Sequence, residues 1–310
     1  MSPAVVKAAI LTGMSAPRTL WHLMLYALLD ERRPSAFEVR FEVPLSKEPQ
    51  RADFLLLRRT KEGDISDARV LRRLWGLIRQ QALVEYKSVS ASLEPGDLTK
   101  LLGYGAQYST FNRDRLEHKQ DLLLVLMVPS MTPTLRDELN FLDAKLGAVK
   151  AGYAPIKGLC FPAYAVFVDE VALVERDQLV GMFGHGTSLE GADRWWWINH
   201  LWNREGVMAN VNLEDMEGYD ELTAKFLASL PVELRLKGLA TEDDELMAKF
   251  LASLPVDIRL KGLATEDRLK GLATEDRLRG LATEDRLKGL ATEELRVMLE
   301  EVRRRLKEQE

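Results

Sequence analysis

The segment Ala82-Leu83-Val84-Glu85-Tyr86-Lys87-Ser88 decides the fold that we expect for this chain. It predicts a short strand with Leu83, Glu85 and Lys87 on one face, because successive side chains point to opposite sides of a sheet. A second run, Arg51-Ala52-Asp53-Phe54-Leu55-Leu56-Leu57, predicts another strand, which carries an acid near its start. If the two strands are neighbours, two carboxylates and one ammonium meet at one edge of the sheet.

Asp53, Glu85 and Lys87 are candidate catalytic residues for metal-dependent hydrolysis of a phosphodiester. Two carboxylates suit Mg²⁺ (or Mn²⁺), which prefers oxygen ligands, keeps several waters and bridges to phosphate. Such a metal polarises a phosphoryl oxygen and makes a bound water a better nucleophile. Lys87 can orient that water or offset the charge that develops on the phosphorus. The competing interpretation is that all three are ordinary surface charges at strand ends.

Four segments of the chain together match a known pattern: Arg51-Ala52-Asp53, Val84–Ser88, Gly96–Leu98 and Leu101–Tyr108. With these segments the chain resembles, over roughly residues 17–185, the PD-(D/E)XK (restriction-endonuclease-like) nuclease superfamily. Ala52 stands where the family has a proline, which is a frequent variation.

The resemblance implies an α-β-β-β-α-β core, Mg²⁺ as the cofactor and hydrolysis of phosphodiester bonds. It implies that Asp53 and Glu85 bind the metal and that Lys87 is the catalytic lysine. Some members of the superfamily add a further acid from the first helix, and some relatives have lost activity. The candidates for that additional acid in this chain are Glu31, Glu38 and Glu42.

A helix is expected from Asp97, as its cap, to Tyr108. Its residues Lys100, Tyr104 and Gln107 share one face, because they recur at helical spacing. Related nucleases place polar and aromatic residues of this helix beside the metal, which makes Tyr104 and Gln107 candidate auxiliary groups. The alternative is that the tyrosines pack where Gly103 and Gly105 let the helix approach the sheet.

A basic surface is expected between the two site strands. The chain from Ser66 to Gln80 predicts a helix with four arginines on its outer face. These arginines are candidate contacts for the phosphates of a nucleic acid, DNA before RNA, and a solvated helix face is the alternative. They are Arg69, Arg72, Arg73 and Arg79.

The remaining patterns predict an α/β fold. An amphipathic helix is expected over Pro17–Glu31, with Ser15 as its cap, followed by an alternating strand over Phe37–Val43. The continuous apolar run 121–129 is typical of a central strand buried on both faces. The other predicted elements are a helix over 134–146, strands over 153–159 and 164–168, and a short helix over 177–183.

Composition favours a globular protein of a reducing compartment. The chain has 310 residues, 46% of them hydrophobic, and one cysteine, Cys160, which excludes an intrachain disulfide framework. The longest apolar run, Leu122–Val128, is too short to span a bilayer. Residues 1–16 are expected to be a leader without a signal-peptide cleavage pattern. We therefore expect a cytoplasmic protein with no membrane partner.

From Glu221 the chain repeats itself. The segment Glu221–Asp244 returns almost unchanged from Glu245, and a nine-residue unit then starts at Arg259 and recurs to Glu293. Nine residues at about 100° each turn successive leucines to opposite faces, so one continuous helix is disfavoured. We expect short stacked helices, or an array that orders on binding. The final segment, 293–310, predicts a terminal helix that caps the array or pairs with another chain.

These patterns divide the chain into four regions: the leader 1–16, a nuclease-like domain 17–190, a Trp-rich connector 191–220 and a helical repeat tail 221–310. The tryptophans of the connector are expected to pack, with base stacking as the alternative. The formal net charge is −5, and residues 213–310 carry six more acidic than basic residues, so nucleic acid must bind the first part. The expected function is Mg²⁺-dependent nuclease activity, and the alternative is an inactive nuclease-like scaffold whose tail recruits partners.

Overall fold

The computed structural model describes residues 19–44, 51–59, 65–201 and 216–230, together with Phe250, Leu251, Leu254 and Ile258. Within these residues the chain is a mixed α/β protein built on a seven-stranded sheet. The strands are β1 (Phe37–Pro44), β2 (Arg51–Arg58), β3 (Gln81–Tyr86), β4 (Leu122–Val128), β5 (Lys145–Leu146), β6 (Tyr153–Lys157) and β7 (Ala163–Phe167). The helices are α1 (Leu20–Arg32), α2 (Arg72–Leu77), α3 (Asp97–Phe111), α4 (Pro133–Phe141), α5 (Val168–Glu175), α6 (Gln178–Met182), α7 (Gly191–Leu201) and α8 (Tyr219–Ser229).

The sheet has the strand order β1-β2-β3-β4-β7-β6-β5. β1, β2 and β3 pair antiparallel, whereas β4 is parallel to both of its neighbours, β3 and β7. Every residue of β4 is buried, which is why the sequence of this strand is continuously apolar. The predicted central strand over 121–129 is therefore confirmed, with Leu122 and Val128 as its ends. The carboxyl ends of β3, β4 and β7 form one edge of the sheet.

Helix α1 begins later than its sequence pattern predicts. The Thr19 side chain accepts a hydrogen bond from the His22 amide, so Thr19 is the N-cap rather than Ser15. The apolar positions of the predicted core-facing stripe (Leu20, Leu23, Met24, Ala27 and Leu28) are buried, as expected, but Glu31, which the stripe also included, is exposed. Trp21, Leu25 and Leu29 are also buried, so the helix is enclosed on most sides.

Three predicted helices differ from those observed. The helix predicted over 66–80 is wrong, because Leu71 has a left-handed backbone (φ 47°) and only α2 is helical. The helix predicted over 134–146 ends at Phe141, because Asp143 turns the chain with φ 50° and Lys145–Leu146 becomes a strand. The helix from Asp97 is confirmed, but Gly96 is its N-cap and Asp97 lies in its first turn.

The chain divides into two compact units, Met1–Leu222 and Thr223–Glu310. The first unit contains the sheet and also the predicted connector, where α7 buries Trp197 against Phe183 with ring centroids 5.7 Å apart. The leader 1–16, the nine-residue repeats from Arg259 and the terminal helix predicted over 293–310 lie outside the described residues. In the described ranges we find no helix that is both long and apolar enough to cross a membrane.

The second unit contains two copies of one sequence, and its described residues include equivalent positions of both. Phe226 and Phe250 occupy the same place in the two copies, and their rings lie in edge-to-face contact with centroids 5.5 Å apart. Both are buried, as are the paired positions Leu227 and Leu251. The repeated apolar residues of one copy therefore pack on those of the other.

Candidate active site

The two strands predicted to carry the site are neighbours in the sheet. β2 pairs antiparallel with β3, and the register sets Phe54 opposite Val84. Continuing that register by one residue sets Asp53 level with Glu85, at the carboxyl end of β3. Lys87 follows directly, with its amide donating to the carbonyl of Met127 at 2.9 Å. The fold therefore brings all three predicted residues to the same edge of the sheet.

Asp53 is held by the strand that carries the other two residues. Its carboxylate is only 1% exposed, and Oδ2 accepts a hydrogen bond of 2.9 Å from the backbone amide of Tyr86. That amide lies between Glu85 and Lys87 in the chain. Oδ2 also lies 3.4 Å from Nε2 of His22 on α1. Asp53 thus joins β2, β3 and the first helix at one point.

Glu85 and Lys87 form a second group with Asp97, the first residue of α3. The Lys87 ammonium lies 3.2 Å from Oε1 of Glu85 and 3.2 Å from Oδ2 of Asp97. The exposed fractions of the three side chains are 7% for Glu85, 19% for Lys87 and 3% for Asp97. A largely buried ammonium shared between two buried carboxylates is strongly held, because few waters screen the charges.

The charges in this group shift the pKa values of Lys87 and Asp97. Burial on its own would lower the pKa of the Lys87 ammonium, but the carboxylates of Glu85 and Asp97 outweigh burial and the pKa is raised. Burial on its own would raise the pKa of Asp97, but the Glu94 amide, Lys87 and Lys100 outweigh it and the pKa is lowered. Lys87 is therefore a cation and Asp97 an anion at neutral pH.

Mg²⁺ is the cation that the sequence predicts at this edge, with Asp53 and Glu85 as the two residues that would hold it. Mg²⁺ is usually held by one or two carboxylates while waters and substrate phosphates complete its shell. Within the described ranges no group of three or more His, Cys, Asp or Glu side chains is placed to hold a metal ion.

The auxiliary acids are engaged elsewhere. Glu31, near the end of α1, accepts hydrogen bonds from Trp196 and from His200 on α7, the latter at 2.8 Å. Glu38 on β1 pairs with Arg40 and Arg59, at 3.1 and 2.8 Å. Burial on its own would raise the pKa of both acids, but these partners outweigh it and both pKa values are lowered.

Glu42 also belongs to β1, and its side chain lies outside the described part of the chain. The two polar candidates on α3 are both half-buried. Tyr104 packs against the apolar core beneath the helix, and Gln107 lies one turn further on. Tyr108 is buried and donates a hydrogen bond of 2.6 Å to Oε1 of Gln81, which supports packing as its role.

The four arginines Arg69, Arg72, Arg73 and Arg79 are all exposed, but they lie on a loop, a short helix and a second loop rather than on one helical face. The Arg69 amide donates to the carbonyl of Arg32 at the end of α1, at 3.1 Å. His22, near the start of α1, contacts Asp53. Ten residues of helix span about 15 Å, so the backbone of Arg69 lies about that far along α1 from His22.

Two residues of the site are not predicted from the sequence. His22 reads as a histidine at the edge of a buried helix, and its proximity to Asp53 depends on how α1 crosses the sheet. The sequence predicts Asp97 as a helix cap. The segment Pro95-Gly96-Asp97 is the signal that could have identified it as a site residue. A glycine turn ending in an acid one loop after Lys87 returns that acid to the same edge of the sheet.

Comparison with known proteins bears on the tail. A family model described as a ubiquitin binding region (UBM) matches residues 224–248 and 250–269. The first segment covers most of the first copy of the duplicated sequence and ends four residues into the second copy, where the second segment follows. A search of curated proteins gives no match, and a search of solved structures gives none either. The chain is thus a mixed α/β protein followed by a duplicated segment that is similar to a ubiquitin-binding region.

Proposed function

We propose that the first unit is an Mg²⁺-dependent nuclease that hydrolyses phosphodiester bonds of DNA or RNA. The observation that carries the proposal is the hydrogen bond from the Tyr86 amide to Asp53, because it fixes Asp53 to the strand end that bears Glu85 and Lys87. The Lys87 ammonium lies 3.2 Å from the carboxylates of both Glu85 and Asp97 at the same strand end.

Each residue has a distinct role in this proposal. When bound, Mg²⁺ supplies Lewis-acid polarisation of the phosphate and a more acidic water. Asp53 and Glu85 would hold that cation. The Lys87 ammonium, charged at neutral pH, donates hydrogen bonds to the oxygens on which negative charge develops. The rings of Tyr86 and Phe54 pack with the ring of His22, which contacts Asp53.

The order of elements supports the same proposal. The described chain runs α1, β1, β2, β3, α3 and β4, with the short α2 placed between β2 and β3. This is the α-β-β-β-α-β order that the resemblance to the PD-(D/E)XK superfamily implies. β3 and β4 are parallel and joined through α3, so the start of that helix returns to the site edge.

A nuclease assay tests the proposal. Single- and double-stranded DNA and RNA are incubated with the full chain and Mg²⁺, and cleavage is compared with Asp53→Asn and Lys87→Ala. We expect each variant to lose at least about 100-fold in rate, the usual cost of removing a group that stabilises developing charge. Asp53→Asn keeps an oxygen that can accept from Tyr86, so the strand end is preserved.

Matched controls are the exposed residues Asp114, which follows the end of α3, and Lys119, which precedes β4. Asp114→Ala and Lys119→Ala remove the same charges away from the carboxyl end of β3 and should leave the cleavage rate unchanged. Equal rates in wild type and in both site variants, or a rate that EDTA does not lower, would reject the nuclease.

The second candidate function is recruitment of a protein partner by the tail. The match of both copies to a ubiquitin-binding region favours ubiquitin as that partner. In this alternative the first unit is an inactive scaffold of the same fold. Calorimetric titration with Mg²⁺ and Mn²⁺ separates the two: absence of binding at millimolar concentration favours the scaffold.

Binding of ubiquitin is measured by titrating ¹⁵N-labelled ubiquitin with the full chain. Because Phe226 and Phe250 pack on each other, we expect Phe226→Ala and Phe250→Ala each to weaken binding by at least about tenfold, as core Phe→Ala changes cost several kcal/mol. The double variant should bind no worse than either single variant. Phe141→Ala, which removes an exposed ring of the first unit, is the control. Unchanged ubiquitin spectra with wild type would exclude this function.

A further inference from the structure

We propose that Asp97 is a positioning residue for Lys87, which it holds beside Glu85 in the geometry that the proposed hydrolysis needs. The inference rests on the proposed nuclease function and adds a residue to its site. Asp97 reaches Lys87 from α3, so the ammonium is anchored from a second element as well as from its own strand.

The contacts of Asp97 show how the anchoring works. Its carboxylate is 3% exposed and uses both oxygens. Oδ2 lies 3.2 Å from the Lys87 ammonium and accepts a bond of 2.8 Å from the Glu94 amide. Oδ1 lies 3.1 Å from the ammonium of Lys100. The carboxylate therefore cannot rotate without breaking one of three contacts.

The turn that carries Asp97 is itself fixed. Gly96 has a left-handed backbone with φ 95°, which a side chain would strain. The Gly96 amide donates a bond of 2.8 Å to Oε1 of Glu138 on α4, and Glu138 is buried. Helices α3 and α4 thus hold the turn from two sides, and Asp97 has one available position relative to the end of β3.

Lys87 needs such an anchor. Its side chain is long and flexible, and it follows the last residue of β3. If Glu85 were its only partner, the Lys87 ammonium would form its whole ion pair with Glu85, which is a proposed metal ligand. At 3.2 Å from each carboxylate it is shared between Glu85 and Asp97, so its hold on Glu85 is weaker while it stays at the site.

A purely structural role for Asp97 is the alternative, because its carboxylate closes the turn through the Glu94 amide. Asp97→Asn separates the two roles. The amide oxygen of asparagine can still accept from Glu94, but the negative charge that attracts Lys87 is gone. Asp97→Ala removes both. A positioning role predicts that Asp97→Asn and Asp97→Ala lower kcat alike. A structural role predicts that Asp97→Asn keeps the kcat of wild type.

The first readout is Mg²⁺-dependent cleavage of DNA. Asp97→Asn should lower kcat by at least about tenfold, and leave KM within about twofold, because the lost interaction acts on the reacting groups. Asp97→Glu should recover part of the rate. Lys119→Ala, which removes an exposed ammonium just before the amino end of β4, should retain wild-type cleavage. In a Lys87→Ala background Asp97→Asn should cause no further loss; wild-type kcat in Asp97→Asn would overturn the inference.

The second readout does not depend on activity. Reductive methylation of Lys87, followed by peptide mass spectrometry, reports how firmly the ammonium is held. We expect Asp97→Asn to speed methylation of Lys87 several-fold while that of Lys119 is unchanged. An unchanged rate at Lys87 would overturn the inference. If wild type fails to cleave any substrate, the nuclease proposal fails, and the methylation rates still decide whether Asp97 positions Lys87.

Discussion

At the scale of single residues, Tyr86 connects the two halves of the site. Its amide donates to Asp53 at 2.9 Å, and its hydroxyl donates to the carbonyl of Phe183 at 2.8 Å. Burial, together with the charges of Glu221 and Asp169, raises the pKa of the Tyr86 hydroxyl well above its ordinary value. The hydroxyl is therefore neutral and serves as a fixed donor that keeps the end of β3 in place.

The acid stability of the first unit should depend on Asp97. Its pKa is lower in the folded chain, so its ionised form stabilises the fold above the ordinary aspartate pKa of about 3.9, and this contribution is lost as the pH falls through the lowered value. We expect urea unfolding to find wild type more stable than Asp97→Asn at pH 7 and the difference to shrink below about pH 4. A difference that stays constant with pH would contradict this.

The sequence predicts only those site residues that local spacing along the chain identifies. Asp53, Glu85 and Lys87 follow from two strand patterns, and the register of β2 and β3 brings them to one edge. Asp97 and His22 do not follow in the same way, because their contacts depend on where α3 and α1 cross the sheet. Long-range packing of this kind cannot be predicted from a short segment of sequence.

At the scale of elements, helix α3 contains two glycines with different surroundings. A Cβ at Gly105 would lie 2.9 Å from a methyl group of Leu124 on β4, whereas a Cβ at Gly103 would meet nothing within 4 Å. Only Gly105 therefore lets the helix approach the sheet, although the sequence treats both positions alike.

This difference predicts opposite effects of one substitution. Gly103→Ala should stabilise the first unit by up to about 1 kcal/mol, because alanine favours the helix over glycine. Gly105→Ala should be less stable than Gly103→Ala by about 1–3 kcal/mol, because the added methyl crowds Leu124. Urea unfolding measures both free energies. Equal stability of the two variants would contradict the packing of α3 on β4.

The elements also show where sequence patterns mislead. The apolar spacing over 66–80 is helical, but the left-handed Leu71 confines α2 to Arg72–Leu77. Helix α5 follows β7 directly at Val168, the residue that the predicted strand over 164–168 includes as its last. In both cases local apolar periodicity marks the buried residues correctly and assigns the backbone conformation wrongly, because tertiary packing decides that conformation.

At the scale of the whole molecule, the chain combines two units of different character. The first unit carries the sheet and the candidate active site. The second unit contains the duplicated sequence, which is similar to a ubiquitin-binding region. The division after Leu222 lies two residues from the boundary predicted from the start of the repeats. Catalysis and recruitment of a partner would thus reside in separate parts of one chain.

The proposed nuclease activity depends on one cation shared by Asp53 and Glu85. The most direct measurement is an anomalous difference map from a crystal of the full chain soaked in Mn²⁺. We predict a peak about 2.1 Å from a carboxylate oxygen of each residue, the distance typical of Mg²⁺-type sites. The same peak should be lost in Asp53→Asn. A map in which Mn²⁺ binds elsewhere, or contacts neither carboxylate at saturating concentration, would contradict the account.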